Sequence, residues 1–146
     1  MEIWRPIVGF EGKYEISSYG RVRRIGFGRG VKSGRVLSCP MANGYPTCCL
    51  WAGNRSTKRY VHRLVAEAFI GPIPIGHEVN HKNLDKSDPR VSNLEWVTRS
   101  ANLLHRAAAG IGRGITNGAS VLTEDKVKAI RRKYQHGVRP GYLMLS

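Results

Sequence analysis

Within Val79–His105, one histidine and three asparagines stand at separations that metal-assisted phosphodiester hydrolysis can use. His81 follows Asn80 in a short extended run. Asn93 comes 12 residues later, just ahead of the apolar run Leu94–Val97, and Asn102 lies 9 beyond that, in the first turns of a helix expected from Thr98. Hydrolysis of a phosphodiester needs an activated water, charge neutralisation at phosphorus and help for the leaving 3′ oxygen. An imidazole near its ordinary pKa can do the first at neutral pH, and one divalent cation can do the other two. Mg2+ takes few protein oxygens and keeps several waters, so Asn80 and Asn102 suffice as its protein ligands. Asn93 reads as the amide that ties down the long loop behind His81. Neighbours in a strand face opposite ways, so base and ligand share one face only where the backbone bends.

The elements that must position these residues follow from periodicity and from the residues that break it. Val61–Ile70 predicts a helix with Leu64, Val65, Ala68 and Phe69 on one face, stopped by Gly71-Pro72. His62, at its start, reads as a structural histidine. Pro72–Gly76 is a stiff connector into extended His77–His81, and the polar loop Lys82–Ser92 leads to the strand Leu94–Val97. Thr98 is the expected N-cap of a helix over Arg99–Ala109 that Gly110 closes. Asn102, His105 and Arg106 share one side of it, while Leu103, Leu104, Ala107 and Ala108 form an apolar stripe for packing.

Upstream, residues 1–60 predict short strands. Tyr14–Ser17 alternates into the turn Ser18–Gly20, and Arg21–Ile25 sets Val22 on one face with Arg21 and Arg23 on the other, Arg24 following. A basic, glycine-rich hairpin over Gly26–Gly34 holds Arg29 and Lys32 and precedes Arg35-Val36-Leu37. Asn43-Gly44 is a turn signal before Tyr45–Trp51, and Ala52–Asn54 is a second. The expected product is a small antiparallel sheet with one cationic face. Downstream, Gly110–Ser120 reads as a flexible linker, and Thr123 caps a helix whose Lys126, Lys128, Arg131, Arg132 and Lys133 make it strongly basic.

Charge narrows the partner. The 146 residues carry a formal net charge of +14, with 11 basic and 3 acidic side chains in 1–61, 5 of each in 62–104, and 8 basic and 2 acidic in 105–146. Two cationic flanks around a neutral centre suit the gripping of a polyanion. No apolar run approaches the ~20 residues of a membrane span, and the N-terminus lacks a signal-peptide plan, which predicts an intracellular protein with no membrane partner. Cys39, Cys48 and Cys49 form no CxxC pair, so neither a zinc site nor a disulfide framework is expected.

Ordered blocks of residues along most of the chain resemble the HNH nucleases, of the ββα-metal fold, in the branch of phage and intron-encoded homing endonucleases. Trp4–Gly12 with Tyr14–Val22 is similar to the N-terminal β module, of the NUMOD4 type, that often precedes this HNH core; Val61–Phe69, Val79–Lys82 and Asn93–Thr98 match the core itself. The resemblance implies an α+β chain: a DNA-contacting β module over 1–60, a ββα-metal nuclease core over 61–110, and a linker with a basic helix over 111–146. Leu122–Gly137 resembles the start of a helix-turn-helix. It further implies that His81 is the general base and Asn93 the central loop-stabilising residue. Asn80 and Asn102 would be the metal ligands, with His105 in reserve; Asn80 stands where the family often has Asp. The expected activity is Mg2+- or Mn2+-dependent DNA cleavage, nicking one strand of double-stranded DNA and leaving a 5′-phosphate and a 3′-hydroxyl. The expected form is a monomer in the cytoplasm of a bacterial or phage-infected cell. Arg21, Arg23, Arg24, Arg29, Lys32, Arg35, Arg99, Arg106, Arg131 and Arg132 are the expected DNA contacts. A noncatalytic DNA-binding protein is the alternative; an RNA-binding ribosomal-type protein explains the charge but not the His/Asn spacing.

Overall fold

The computed structural model describes residues 1–26 and 33–111. Arg29 and Lys32 of the expected glycine-rich hairpin lie outside them, as do Arg131, Arg132 and the rest of the expected C-terminal helix. Met1–Asn102 forms one compact unit, and Leu103–Ser146 a second, described through Ile111.

The first unit is built from short antiparallel strands and helices, an α+β arrangement. Strands β1 (Trp4–Pro6), β2 (Tyr14–Ser17) and β3 (Val22–Arg24) make one three-stranded sheet in that order. Strands β4 (Met41–Ala42), β5 (Tyr45–Ala52) and β6 (Arg55–Tyr60) make another. One sheet was expected here and two are found. Val36 keeps only an isolated bridge to Arg23, so the expected strand around it does not form. Asn43, at φ 54°, and Gly44, at φ 82°, supply the left-handed backbone that joins β4 to β5.

Helix α1 (Val61–Phe69) follows β6 without a loop and ends on schedule before Gly71-Pro72. Its Val61, Leu64 and Val65 enter one core with Ile7, Tyr14, Ile16, Val22, Cys48, Leu50 and Leu94. That core draws on both sides of residue 60, so the N-terminal strands and the downstream ribbon are supported by the same apolar cluster. Arg5 fastens the end of α1: its Nη1 donates to Ala68 O at 2.8 Å, and its guanidinium lies 4.8 Å from the Phe69 ring centroid.

Downstream, β7 (His77–His81) pairs antiparallel with β8 (Leu94–Thr98), and α2 (Arg99–Ala108) follows directly. Thr98 caps α2 as expected, its Oγ1 accepting from Ala101 N–H at 3.3 Å. At the other end Gly110 sits at φ 76°, Ile111 N–H donates to Arg106 O at 2.9 Å, and Gly110 N–H donates to Ala107 O at 3.0 Å. This is the Schellman closure that the glycine predicted. The apolar stripe is another matter. Leu103 and Leu104 are 56% and 71% exposed, and no residue of α2 is buried.

Candidate active site

The β7–β8 register decides which side chains share a face. Asn80 stands opposite Glu95, His81 opposite Leu94 and Glu78 opposite Val97. Period-two alternation therefore puts Glu78, Asn80, Glu95 and Val97 on one face, and Val79, His81, Leu94 and Trp96 on the other. Asn80 Nδ2 donates to Glu95 Oε1 at 2.8 Å. Asn102, in the second turn of α2, donates from Nδ2 to Glu78 Oε1 at 2.5 Å. The structure thus brings Asn80 and Asn102 to one face of the ribbon, each on its own carboxylate. An ionised carboxylate only accepts, so the amide atom beside it must be the NH2 group, and both amide oxygens are turned away from Glu78 and Glu95.

That orientation bears on a metal. Two amide oxygens are hard donors that suit Mg2+ or Mn2+ rather than a soft ion. Among the described residues no group of three or more His, Cys, Asp and Glu is placed to hold a metal. A cation on this face would be held by the asparagines, with water and phosphate completing its shell. His105, one turn beyond Asn102 along α2, belongs to the second unit.

His81 closes β7 and points the other way, as regular strand geometry requires; the backbone bend that would have put it beside Asn80's side chain is not there. Its ring lies 5.1 Å from that of His62 and 5.7 Å from that of Tyr45, centroid to centroid. Tyr45 and Tyr60 lie 4.7 and 5.5 Å from His62, so two half-buried tyrosines and two buried histidines form one aromatic cluster. His81 Nε2 and His62 Nδ1 are buried and have no hydrogen-bond partner among the described residues. Burial pushes the His81 imidazole below its ordinary pKa, Lys86 adds to this, and Asp88 and Asp85 oppose it. Burial, reinforced by His81 and Arg63, pushes His62 down to about 3. Both rings are accordingly neutral at pH 7, the form in which an imidazole can accept a proton.

Asn93 stands at the end of a 3-10 turn, Val91–Asn93, and is buried. Its Oδ1 accepts from Asn83 N–H at 3.0 Å and its Nδ2 donates to Asp88 O at 2.9 Å, while its backbone carbonyl accepts from Lys82 N–H at 2.8 Å. One side chain therefore spans the loop that follows His81. Inside that loop Asn83, Asp85 and Asp88 each accept a backbone N–H two residues on, the local bonding that stabilises polar turns. The N-terminal sheet braces the loop from outside. Val91 N–H donates to Ser18 O at 3.0 Å, and Gly20, at φ +82°, lies so close to Pro89 that a side chain there would clash.

The expected DNA-contacting arginines differ among themselves. Arg21 is paired with Glu2, and Arg23 is paired with Glu15 at 2.5 Å, with the two guanidinium groups 5.7 and 4.2 Å from the Trp4 ring centroid. Arg24 is half-buried, with its guanidinium 5.8 Å from the Tyr14 ring and its Nε unpartnered among the described residues. Arg35, Arg99 and Arg106 are exposed. Reading the sequence singled out neither Glu78, Glu95 nor Tyr45. The alternation of Glu78 with Asn80 was the one available signal; Glu95 and Tyr45 required strand register and tertiary packing.

A two-stranded ribbon ending in a histidine, an asparagine-braced loop and a following helix that returns an asparagine to the ribbon define a ββα nuclease-type unit. The family model for HNH endonuclease matches residues 59–104, and the NUMOD4 motif matches residues 2–51. The chain is similar to DNA endonuclease I-HmuI of Bacillus phage SP01, 34% identical over 108 residues that make up 73% of this chain and 59% of that protein. An uncharacterized HNH endonuclease of Acanthamoeba polyphaga mimivirus is 33% identical over 140 residues, 96% of this chain and 36% of the relative. The chain thus spans between a third and three-fifths of the length of these two relatives. A solved structure described as DNA binding and cleavage by the HNH homing endonuclease I-HmuI superposes with a TM-score of 0.65 at 29% identity, covering 91% of this chain and 68% of that one. Among the described residues no helix is long and apolar enough to cross a membrane.

Proposed function

We propose that this protein is a DNA endonuclease that nicks one strand of double-stranded DNA. His81 is its general base, Asn80 and Asn102 hold one Mg2+ or Mn2+, His105 is the reserve ligand, and Asn93 keeps the loop behind His81 in place. The observation that carries the reading is the convergence of Asn102 from α2 onto the face of β7 that bears Asn80, beside a buried neutral His81.

In the proposed reaction a water attacks phosphorus while His81 takes its proton. The bond from phosphorus to the 3′ oxygen breaks, that oxygen takes a proton from solvent, and the products are a 5′-phosphate and a 3′-hydroxyl. Asn80 and Asn102 would hold a divalent cation here, which would supply neutralisation of phosphoryl charge and of the departing oxygen. Residues 1–60 serve as the DNA-contacting β module, 61–110 as the nuclease core and 111–146 as a linker with a basic helix. The protein acts as a monomer in the cytoplasm of a bacterial or phage-infected cell. The likeness to I-HmuI, whose structure concerns DNA binding and cleavage, supports the choice of substrate.

Supercoiled plasmid incubated with the protein in Mg2+, in Mn2+ and in chelator tests this directly. Nicked circles in both metals and none in chelator are expected. Intact plasmid in all three, with a gel shift retained, would leave a DNA-binding protein instead.

A further inference from the structure

Glu78 and Glu95 take no part in the reaction just described, yet each contacts a ligand of the proposed cation. We propose that they are positioning residues. Glu95 clamps the Asn80 amide and Glu78 clamps the Asn102 amide, each with its oxygen presented for the metal. The inference rests on the assignment of Asn80 and Asn102 as ligands.

An asparagine amide has two ends of nearly equal size and opposite character. Rotated by half a turn about its last torsion, it offers a cation an NH2 group, which repels, in place of an oxygen, which binds. Aspartate at the same position has no such ambiguity, since both ends are oxygen. A site built from two asparagines therefore needs something to choose the rotamer of each amide. Glu95 and Glu78 do this at 2.8 and 2.5 Å, because a carboxylate can receive a hydrogen bond only from the NH2 end.

The clamps are built into regular structure. Glu95 is the cross-strand partner of Asn80, and Glu78 is two residues earlier on the same face of the same strand. Neither glutamate is exposed, and the hydrogen bonds are partly buried, where they are stronger and less screened than at the surface. Partners of ligands that fix orientation in this way typically change metal affinity by about 10–100-fold when removed.

Mn2+ binding by the whole protein, measured by calorimetry without DNA, provides the test. The informative pair of substitutions is Glu→Gln and Glu→Asp at each position. Glutamine keeps the reach but loses the charge and has an NH2 end of its own, so it still holds the amide but in either rotamer; aspartate keeps the charge but is one methylene too short to hold the amide. Clamping predicts that Glu95→Gln and Glu78→Gln lose only a few-fold in affinity, whereas Glu95→Asp and Glu78→Asp lose about 10–100-fold. It also predicts that Glu95→Asp adds nothing to Asn80→Ala in the double variant, since a clamp has no effect without its amide. The reverse order, with Asp variants binding well and Gln variants poorly, would make the carboxylates ligands or charge sources and overturn the proposal. Unchanged affinity in all four would overturn it too. Failure of the underlying ligand assignment gives a different pattern: Asn80→Ala and Asn102→Ala would then bind Mn2+ as well as the parent.

Discussion

His62 and His81 meet edge to face at 5.1 Å, and each buries a ring nitrogen that has no hydrogen-bond partner among the described residues. Burial disfavours the charged form of both rings, and at His62 nothing opposes it. Protonating His62 would place a cation against Tyr45, Tyr60 and His81 and beside Arg63. His62 is held at about 3, against 6.5 for an ordinary histidine. The unfolded chain therefore binds a proton at this residue more readily than the folded one. Stability is complete above pH 6.5 and falls as the pH drops from there towards 3, by about 2 kcal/mol at pH 5 from this residue alone. Urea melts at pH 7 and pH 5 measure the loss. His62→Phe, which cannot charge, is expected to remove most of it, and an unchanged difference between the two pH values would place the acid-labile group elsewhere.

His81→Ala tests the proposed base. Loss of a general base lowers the rate by about 10²–10⁴-fold, while one neutral imidazole contributes little to a cationic binding surface. Plasmid nicking should collapse and a gel shift with the same DNA should not. Because burial lowers the His81 pKa, the nicking rate of the parent protein should be flat near pH 7 and fall only below pH 6.5. Nicking by the alanine variant at the parental rate would exclude His81 as the base.

Asn93→Ala removes both ends of the tie across the loop after His81. The cut leaves Asn83 N–H and the Asp88 carbonyl without their partner, at about 1–3 kcal/mol for each group that becomes buried and unsatisfied. A lower melting temperature together with slower nicking is expected. Asn93→Asp separates the two ends: it keeps the acceptor for Asn83 and loses the donor to Asp88, so it should fall between alanine and the parent.

Much of this site could be read from local sequence because its signals are local. The Asn43-Gly44 turn, the Thr98 cap and the Gly110 closure each follow from what one or two residues do to nearby backbone, and all three formed. Asn80 and His81 alternate across a strand for the same reason. Leu103 and Leu104 show the limit: helical spacing says which residues share a face, not whether that face is covered. The ion pairs of Arg21 with Glu2 and Arg23 with Glu15 were illegible because they join residues brought together by β1–β2–β3 folding. Tyr45 reaches His81 across 36 residues of chain, and no periodicity predicts that meeting.

The arginines sort into two groups that salt dependence can separate. Arg23 is engaged by Glu15 and lies over Trp4, so its charge is already compensated and its loss should show mainly in stability. Arg35 and Arg99 are exposed, and if they contact phosphate each should contribute close to one unit to the slope of log affinity against log salt. The seven basic side chains in 111–146, Arg113, Lys126, Lys128, Arg131, Arg132, Lys133 and Arg139, lie outside the described residues, and deleting that segment spares His81, Asn93 and Asn102. The parent should lose about 10³–10⁵ in affinity between 50 and 200 mM salt if about 6–10 phosphates are neutralised. Arg35→Ala and Arg99→Ala should each flatten the slope by about 0.9, the deletion by several units, and Arg23→Ala by nothing measurable. Plots of log affinity against log salt for the five proteins decide it. A deletion with the parental slope would mean that the C-terminal charge faces solvent, and a flatter slope for Arg23→Ala would mean that DNA displaces Glu15 from its arginine.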